Sequence, residues 1–281
     1  MIDALASLFG AIVRFIYNLV GENYGLSIII FAVLTKVVLF PINLKQAKTM
    51  ENIKKIAPIE KKIREKYKGA KDSNEKIAIE LQKVYAENKI NPLGGCLPAL
   101  IQIPIVIAMF YIVKQPLTYI KQVPYEQVVE YVQEKVGEDK KVTKAQIRNY
   151  EISIADEKDL IDMDFFGIHF GDIPANSVNK TLKKEERPSY ITLIIPVLSL
   201  AFSFMQNKIT MKKSNLTEEQ LEQQKTMNLM LPFLSAYISY VMPLALGVYW
   251  LIGNICSLIS QLLVSELVKE KKIMLNKGSE K

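Results

Sequence analysis

The chain has 281 residues, 49% apolar and 23% charged, with a formal net charge of +7. Spread evenly, that composition would suit one or two water-soluble domains, but the apolar residues gather into long runs nearly free of charge, which points to a membrane protein. A single histidine, His169, leaves little room for His-based triads or multi-histidine metal sites, and Cys96 and Cys256 lack zinc spacing and read as packing residues, so no enzyme active site, metal or cofactor is expected.

Residues 1–22 lack a basic n-region, and Arg14 interrupts their apolar stretch, so a cleaved signal peptide is not expected. Ile2, Leu5, Phe9, Ile12, Ile16 and Leu19 fall at helical spacing with Asp3, Ser7, Arg14 and Asn18 between them. That pattern predicts an amphipathic helix lying in the membrane interface; a sixth span is the competing reading. A first spanning helix is predicted over 23–40. Residues 41–95 carry 13 basic and 7 acidic residues and predict a helical hairpin. Met50, Ile53, Ala57, Ile63 and Tyr67 mark one apolar face, and Ile77, Leu81, Val84 and Tyr85 mark another. A turn at 69–72 joins them, Asp72 and Glu75 resemble a capping box, and Pro58 is placed to kink the first arm. The plain reading of the hairpin is a solvated charged pair of helices; the functional one is a docking site for anionic lipid, ribosome or client.

A second span is predicted over 96–113. Residues 114–189, with 12 basic and 14 acidic residues, form a long extracytoplasmic segment. It shows a helix over 125–136, a polar lysine-rich stretch and an apolar cluster of Phe165, Phe166, Ile168 and Phe170, and reads as a small, partly ordered cap without a catalytic motif. A third span over 190–206, a cytoplasmic loop over 207–226, a fourth span over 227–243, a fifth over 244–264 and a basic tail over 265–281 complete the chain. The apolar runs within these spans are roughly 16 to 21 residues long, close to the ~17 to 25 that a ~30 Å hydrocarbon core requires. Buried core helices of a soluble protein are the alternative, and five such runs in one chain argue against it. Basic flanking loops stay in the cytoplasm, so 41–95 is predicted inside, the N-terminus outside and the C-terminus inside. The fold class expected is therefore all-α and polytopic, with five spans.

Lys36 is the most informative residue, because an ammonium near the centre of a span costs ~2.5 to 3.5 kcal/mol on insertion scales. Either it snorkels, lying roughly 7 Å of helical rise from the inner end, or something in the bundle compensates it. Other spans add polar groups that snorkelling does not explain. Trp250, Asn254, Ser257 and Gln261 follow i, i+4, i+7, i+11, and Thr192, Ser199, Ser203 and Gln206 also keep helical spacing. Gln102 adds an amide, and Ser235 and Ser239 add hydroxyls. Each stripe taken alone reads as interhelical hydrogen bonding, whereas several together with a cation point to a shared wet cavity. Pro98, Pro104, Pro196 and Pro232 each remove a backbone donor and can bend a helix away from its neighbours.

Taken in order, Tyr24-Gly25-Leu26-Ser27-Ile28-Ile29-Ile30, Asn91-Pro92-Leu93-Gly94-Gly95-Cys96-Leu97-Pro98, Gln102-Ile103-Pro104-Ile105, and Tyr249-Trp250 followed by Asn254 and Gln261 resemble the YidC family of membrane insertases. The likeness covers about residues 21–261 and extends to the order of elements. It implies a bacterial cell-membrane protein whose five-helix core holds a hydrophilic groove, open to cytoplasm and lipid but closed to the outside. It also implies a cation on the first helix that attracts acidic residues of incoming clients. The family usually has arginine there; this sequence has Lys36, which keeps the charge but loses the planar fork for carboxylates. Three other departures are the absence of an obvious cleavable or lipoprotein signal, an exterior segment long for the small bacterial members, and a short tail over 269–281 that weakens the case for strong C-terminal ribosome binding.

These readings converge on an insertase and chaperone that moves short hydrophilic client segments through the groove and releases apolar ones into lipid. Lys36, Gln102, Ser199, Ser203, Trp250, Asn254 and Gln261 are its expected client contacts. Nascent membrane proteins and the lipid bilayer are the expected partners, with the ribosome and the Sec translocon as candidates and no direct nucleic-acid function. A channel or small-solute transporter lined by the same polar faces is the rival from another class, and expects a path open to both faces or an internal repeat; the hydropathy shows no convincing repeat. A structural scaffold that docks partners through the basic hairpin is the third reading.

Overall fold

The computed structural model describes residues 2–91, 97–137, 141–176, 190–212 and 218–279. Cys96 and the Pro92-Leu93-Gly94-Gly95 run lie outside the described residues, as do 177–189 of the segment expected to be extracytoplasmic and 213–217 of the loop between the third and fourth apolar runs. The described chain is helical apart from one small ribbon. Its elements are α1 (Ile2–Leu19), α2 (Tyr24–Lys66), α3 (Ser73–Glu87), α4 (Leu97–Lys114), a π-helical turn (Leu117–Lys121), α5 (Tyr125–Val136), α6 (Lys144–Glu157), β1 (Asp164–Phe165), β2 (Ile168–His169), α7 (Ile191–Lys212), α8 (Glu218–Val241) and α9 (Leu244–Ser279).

By length and composition, four helical stretches can cross a membrane: α1, Tyr24–Ile53 of α2, Ile191–Ile209 of α7 and Leu244–Val264 of α9. Leu100–Lys114 and Leu229–Val241 are shorter apolar helices. The protein is thus an all-α polytopic membrane protein, and the second and fourth runs expected to span are the shorter pair. The N-terminal helix, expected to lie in the interface, has the length and apolarity of a span as well, so those two properties do not separate the two readings.

Several helices run past their apolar stretches. α2 continues unbroken from Tyr24 to Lys66 with Pro41 and Pro58 inside it, α7 reaches Lys212 and α9 reaches Ser279. A long helix that carries polar residues after its apolar part needs no loop at the membrane edge, because every interior backbone group stays bonded within the helix.

The described chain divides into two compact units. The first comprises Met1–Val37, Gln102–Ser203 and Leu231–Cys256. There α1 turns its Ala6, Gly10, Val13, Ile16 and Tyr17 face inward and packs on the π-helical turn. The approach is close at Gly10, where a Cβ would stand 3.1 Å from the Cβ of Tyr119. The bend from α1 into α2 uses left-handed backbone at Gly21 and Glu22, and Asn23 then caps α2 by accepting from the Leu26 amide at 2.7 Å. Lys121 pairs with Glu22 at 2.6 Å and ties this bend to the end of the turn.

The part of the first unit between α4 and α7 is more ordered than the sequence suggested. Within the lysine-rich stretch a helix, α6, starts at a capping box in which Thr143 accepts from the Gln146 amide and the Gln146 side chain accepts from the Thr143 amide. α5 and α6 pack together and are linked by ion pairs between Glu134 and Lys158, at 2.7 Å, and between Lys135 and Glu157. Glu151 of α6 is fully buried and accepts from the Thr118 amide at 2.6 Å and the Thr118 hydroxyl at 3.0 Å, which fastens α6 to the π-helical turn. The aromatic cluster forms the β1–β2 ribbon, antiparallel with Asp164 opposite His169 and Phe165 opposite Ile168. Immediately after it, the carbonyls of Asp172 and Phe170 accept from the Leu244 and Ala245 amides at 2.8 and 3.0 Å, satisfying two of the donors that the start of α9 leaves without an intrahelical partner.

The second unit comprises Val38–Ile101, Phe204–Met230 and Ser257–Lys281. Within it the later part of α2 and α3 are joined by Lys66 to Glu80 at 3.0 Å and by a hydrogen bond between Glu60 and Tyr85. Sequence numbers rise on one helix as they fall on the other, so the two run antiparallel. Ile56, Ala57, Ile63 and Leu81 are buried there, and Glu60 is neutralised by Arg64 at 3.0 Å. The expected capping box at Asp72 does not form: its backbone, with φ −136° and ψ 38°, is not in the extended conformation of an N-cap, and its side chain makes no cap bond.

Candidate functional site

Lys36 lies one turn past Ala32 on α2 and turns toward α4 and α9. Its ammonium donates to Gln102 Oε1 on α4 at 3.2 Å. Gln102 Nε2 in turn donates to the hydroxyl of Tyr249 on α9 at 3.3 Å. The Tyr249 hydroxyl is also hydrogen-bonded to Thr35, whose own proton goes to the Phe31 carbonyl at 2.8 Å. The two donors nearest the cation therefore point away from it: ammonium to amide oxygen, and amide nitrogen to phenol. Such a chain polarises in one sense and stabilises positive charge at its head without neutralising it. It engages only one of the three ammonium protons. Among the described residues no carboxylate lies within ion-pair distance of Lys36.

Space for the lysine comes from α9. A Cβ on Gly253 would stand 3.1 Å from Lys36 Cε and 3.7 Å from its Nζ, so the missing side chain at that position accommodates the end of the arm. Tyr249 and Gly253 are four residues apart and share one face of α9.

Trp250 and Asn254, each one residue on, are rotated by about 100° and face a different neighbour. The Trp250 indole donates to Ser235 Oγ on α8 at 2.6 Å. Asn254 Nδ2 reaches Ser235 Oγ at 3.2 Å and Ser203 Oγ on α7 at 3.1 Å. One turn away along both α7 and α8, Ser239 donates to Ser199 at 3.1 Å, with both serines fully buried. These hydroxyls form a polar seam that joins α7, α8 and α9, as small hydroxyl residues do where spanning helices meet. Close backbone approach accompanies it: a Cβ on Gly247 would be 3.1 Å from Ile195 of α7 and 3.6 Å from the Ser239 carbonyl of α8.

The residues singled out in the sequence therefore divide. Lys36 and Gln102 meet in one cluster, while Ser199, Ser203, Trp250 and Asn254 belong to the seam. Gln261 is half-buried further along α9, in the second unit. Tyr249, Thr35 and Gly253 were missing from the expected set. Tyr249 was visible beside Trp250, but a tyrosine in a span reads first as packing, and nothing in a sequence shows that a glycine faces a lysine on another helix.

The family model described as "60Kd inner membrane protein" matches residues 15–272. Among curated relatives, the membrane protein insertase YidC of Fusobacterium nucleatum subsp. nucleatum is 30% identical over 240 residues, covering 85% of this chain and 84% of the relative. The membrane protein insertase YidC of Pelodictyon phaeoclathratiforme is 30% identical over 246 residues, and that of Bifidobacterium longum 28% over 244. The matches take in 87% and 85% of this chain, but 33% and 65% of those longer relatives. Matched over most of its own length and most of the Fusobacterium relative's, the chain belongs to the 60Kd inner membrane protein family, the YidC membrane protein insertases.

Proposed function

We propose that this insertase works by drawing carboxylates of a nascent client toward Lys36, in a hydrophilic groove open to cytoplasm and lipid. In this reading α2, α4, α7, α8 and α9 supply five spans around the groove, α1 lies along the outer interface, and the antiparallel 41–95 segment and the tail are cytoplasmic. The client's polar segment enters from the cytoplasm, where water lowers its desolvation cost. Lys36 and Gln102 meet its acidic groups, and the membrane potential favours outward movement of negative charge by about 2.3 kcal/mol per charge per 100 mV. Trp250, Asn254, Ser199 and Ser203 form the wall beside that path, and Gln261 is a further contact by its place in the same α9 stripe. Apolar client segments then pass into lipid beside α7 and α9. The ribosome delivering the client and the Sec translocon are candidate partners at the same membrane.

One observation carries this reading: an ammonium inside a span is held by neutral hydrogen-bond partners, with no carboxylate at ion-pair distance among the described residues. A cation that served only to brace the bundle would be expected to face an acid, because an unpaired charge in hydrocarbon is expensive. Insertion of a dependent client into vesicles containing the full chain tests it. Lys36→Ala is expected to reduce insertion about tenfold or more, the order of one lost charge-assisted contact, and Lys36→Arg to retain most of it. Neutralising the client's acidic residues should erase the difference between the two variants. Parental insertion by Lys36→Ala would overturn the role of the charge.

A further inference from the structure

The β1–β2 ribbon ends in a two-residue turn formed by Phe166 and Gly167, with φ of 52° and 75°. Positive φ at both central residues is the pattern of the type I′ hairpin turn, which strongly favours Asn-Gly and Asp-Gly. A phenylalanine in the first of those positions is backbone-strained, since a bulky L side chain rarely adopts left-handed φ. It is also 91% exposed, the most exposed large apolar side chain among the described residues. Its ring meets the edge of Phe165, with centroids 4.7 Å apart, and projects beyond it. Strain and exposure together at one residue of an otherwise well-packed ribbon need a compensating environment.

The seat of the ribbon indicates what that environment is. Phe165 presses on Gly25, in the first turn of α2, so closely that a Cβ there would lie 2.6 Å from its Cβ and Cγ. Phe170 is buried against Tyr24, the first residue of α2, with ring centroids 6.3 Å apart. The Phe170 and Asp172 carbonyls bond the first two amides of α9. His169 is held by Asp172, 3.5 Å from Nδ1, and Asp156, 2.9 Å from Nε2; these carboxylates raise its pKa from 6.5 to about 9 and keep it charged at neutral pH. The ribbon is thus fixed to the starting ends of two spanning helices, at the level where hydrocarbon gives way to headgroups. At that depth the rings of tryptophan and tyrosine are enriched, and a wholly apolar ring exposed there leaves water for the acyl chains just beneath.

We propose that Phe166 is a membrane anchor whose ring inserts into the bilayer interface at the starting ends of α2 and α9, holding the ribbon against the lipid surface. The occupant is lipid rather than a protein groove, because a single ring on a tight turn supplies no extended face for another chain, whereas its height is set by two spans. Asp164 lies beside the tip and Asp162 just before it, so the anchor works through the apolar ring and does not need anionic headgroups. The proposal rests on α2 and α9 as spans, and is independent of which side of the membrane the ribbon faces.

Bromolipid quenching tests it on the full chain in phosphatidylcholine vesicles. Phe166→Trp adds one reporter to a protein whose single native tryptophan, Trp250, gives a background measured on the parent. The expected result is a blue-shifted added emission, quenched about twofold more by bromine near the headgroup end of the acyl chain than by bromine near its middle, and shielded from aqueous iodide. In a Gly25→Ala background, where a methyl group would displace Phe165 from its seat, the shallow quenching should fall by about half. Free quenching by iodide with no response to either bromolipid overturns the assignment and leaves a protein partner as the occupant. Undiminished quenching with Gly25→Ala overturns the part played by the seat. Both variants are read in symmetric vesicles with iodide present on both faces, so reversed orientation or loss of the Lys36 mechanism would leave the outcome unchanged.

Discussion

Ser235→Ala removes the acceptor shared by Trp250 and Asn254, and its cost can be worked from the seam. The indole has one N–H, and its partner is the Ser235 oxygen at 2.6 Å, so the substitution strands that donor. Asn254 is less affected, because it keeps Ser203 at 3.1 Å. A stranded buried donor costs about 1 to 3 kcal/mol. Interhelical hydrogen bonds in membrane proteins average about 0.6 and reach about 1.7 kcal/mol, because the unfolded chain in the membrane also finds partners. A short bond to a donor with no alternative belongs near the upper end, so about 1.5 kcal/mol is expected, roughly a tenfold fall in the folded-to-unfolded ratio. Trp250→Phe removes the donor and keeps a ring, and the Ser235 oxygen still receives Asn254 at 3.2 Å. In equilibrium unfolding of the four proteins of this cycle in mixed micelles, the double variant should be more stable than the sum of the single losses by about 1 kcal/mol. A coupling below about 0.3 kcal/mol, the level of unconnected sites, would refute the seam as a source of stability.

Gly253→Ala should move stability and activity in opposite directions. Alanine in a helix interior stabilises by up to about 1 kcal/mol relative to glycine, whereas a methyl group 3.1 Å from Lys36 Cε displaces the end of the arm and loosens its bond to Gln102, so client insertion should fall several-fold in a protein that unfolds no earlier; unchanged insertion would show that the arm does not need this space. Glu151→Gln should flatten the dependence of stability on pH. Burial, opposed by the Thr118 and Gln115 hydrogen bonds, raises the Glu151 carboxyl from 4.5 to about 7. The folded state therefore binds the proton more tightly than the unfolded one, and the parent loses stability as pH rises from about 4.5 to about 7. The amide variant has no such proton to lose and keeps an acceptor for the Thr118 amide, so thermal unfolding across that range should show its slope reduced; equal slopes would place the titration elsewhere.

The parts legible in the sequence were those with a long period or a long run. Apolar stretches marked the long apolar helices without reference to any partner, although two of the five expected spans prove to be shorter apolar helices, and the spacing of Trp250 with Asn254 and of Ser199 with Ser203 showed that each pair shares a helix face. What they face was not legible, because Ser203 and Asn254 are 51 residues apart and Gln102 and Tyr249 147. The same spacing fits a wet cavity or a hydrogen-bonded seam, and only the partner oxygens distinguish them. Two-residue strands are too short for alternation to register, so Phe165 to Phe170 read as a cluster rather than a ribbon. The start of α6 was encoded at Thr143 and Gln146 and was missed among lysines, whereas Asp72 and Glu75 carried a similar signal that the local backbone did not use. Capping patterns give the chemistry a helix start can use; the chain's path decides whether it is used.

α9 divides its duties between two adjoining strips of surface. One, with Tyr249 and Gly253, meets the lysine and glutamine; the other, with Trp250 and Asn254, is buttoned to two neighbours. Twisting α9 about its axis to loosen the first strip would tear the buttons of the second. Under the proposed mechanism, then, the parts free to yield at the lysine are α2, α4 and the side chains between them, while the hydroxyl bonds keep α7, α8 and α9 together.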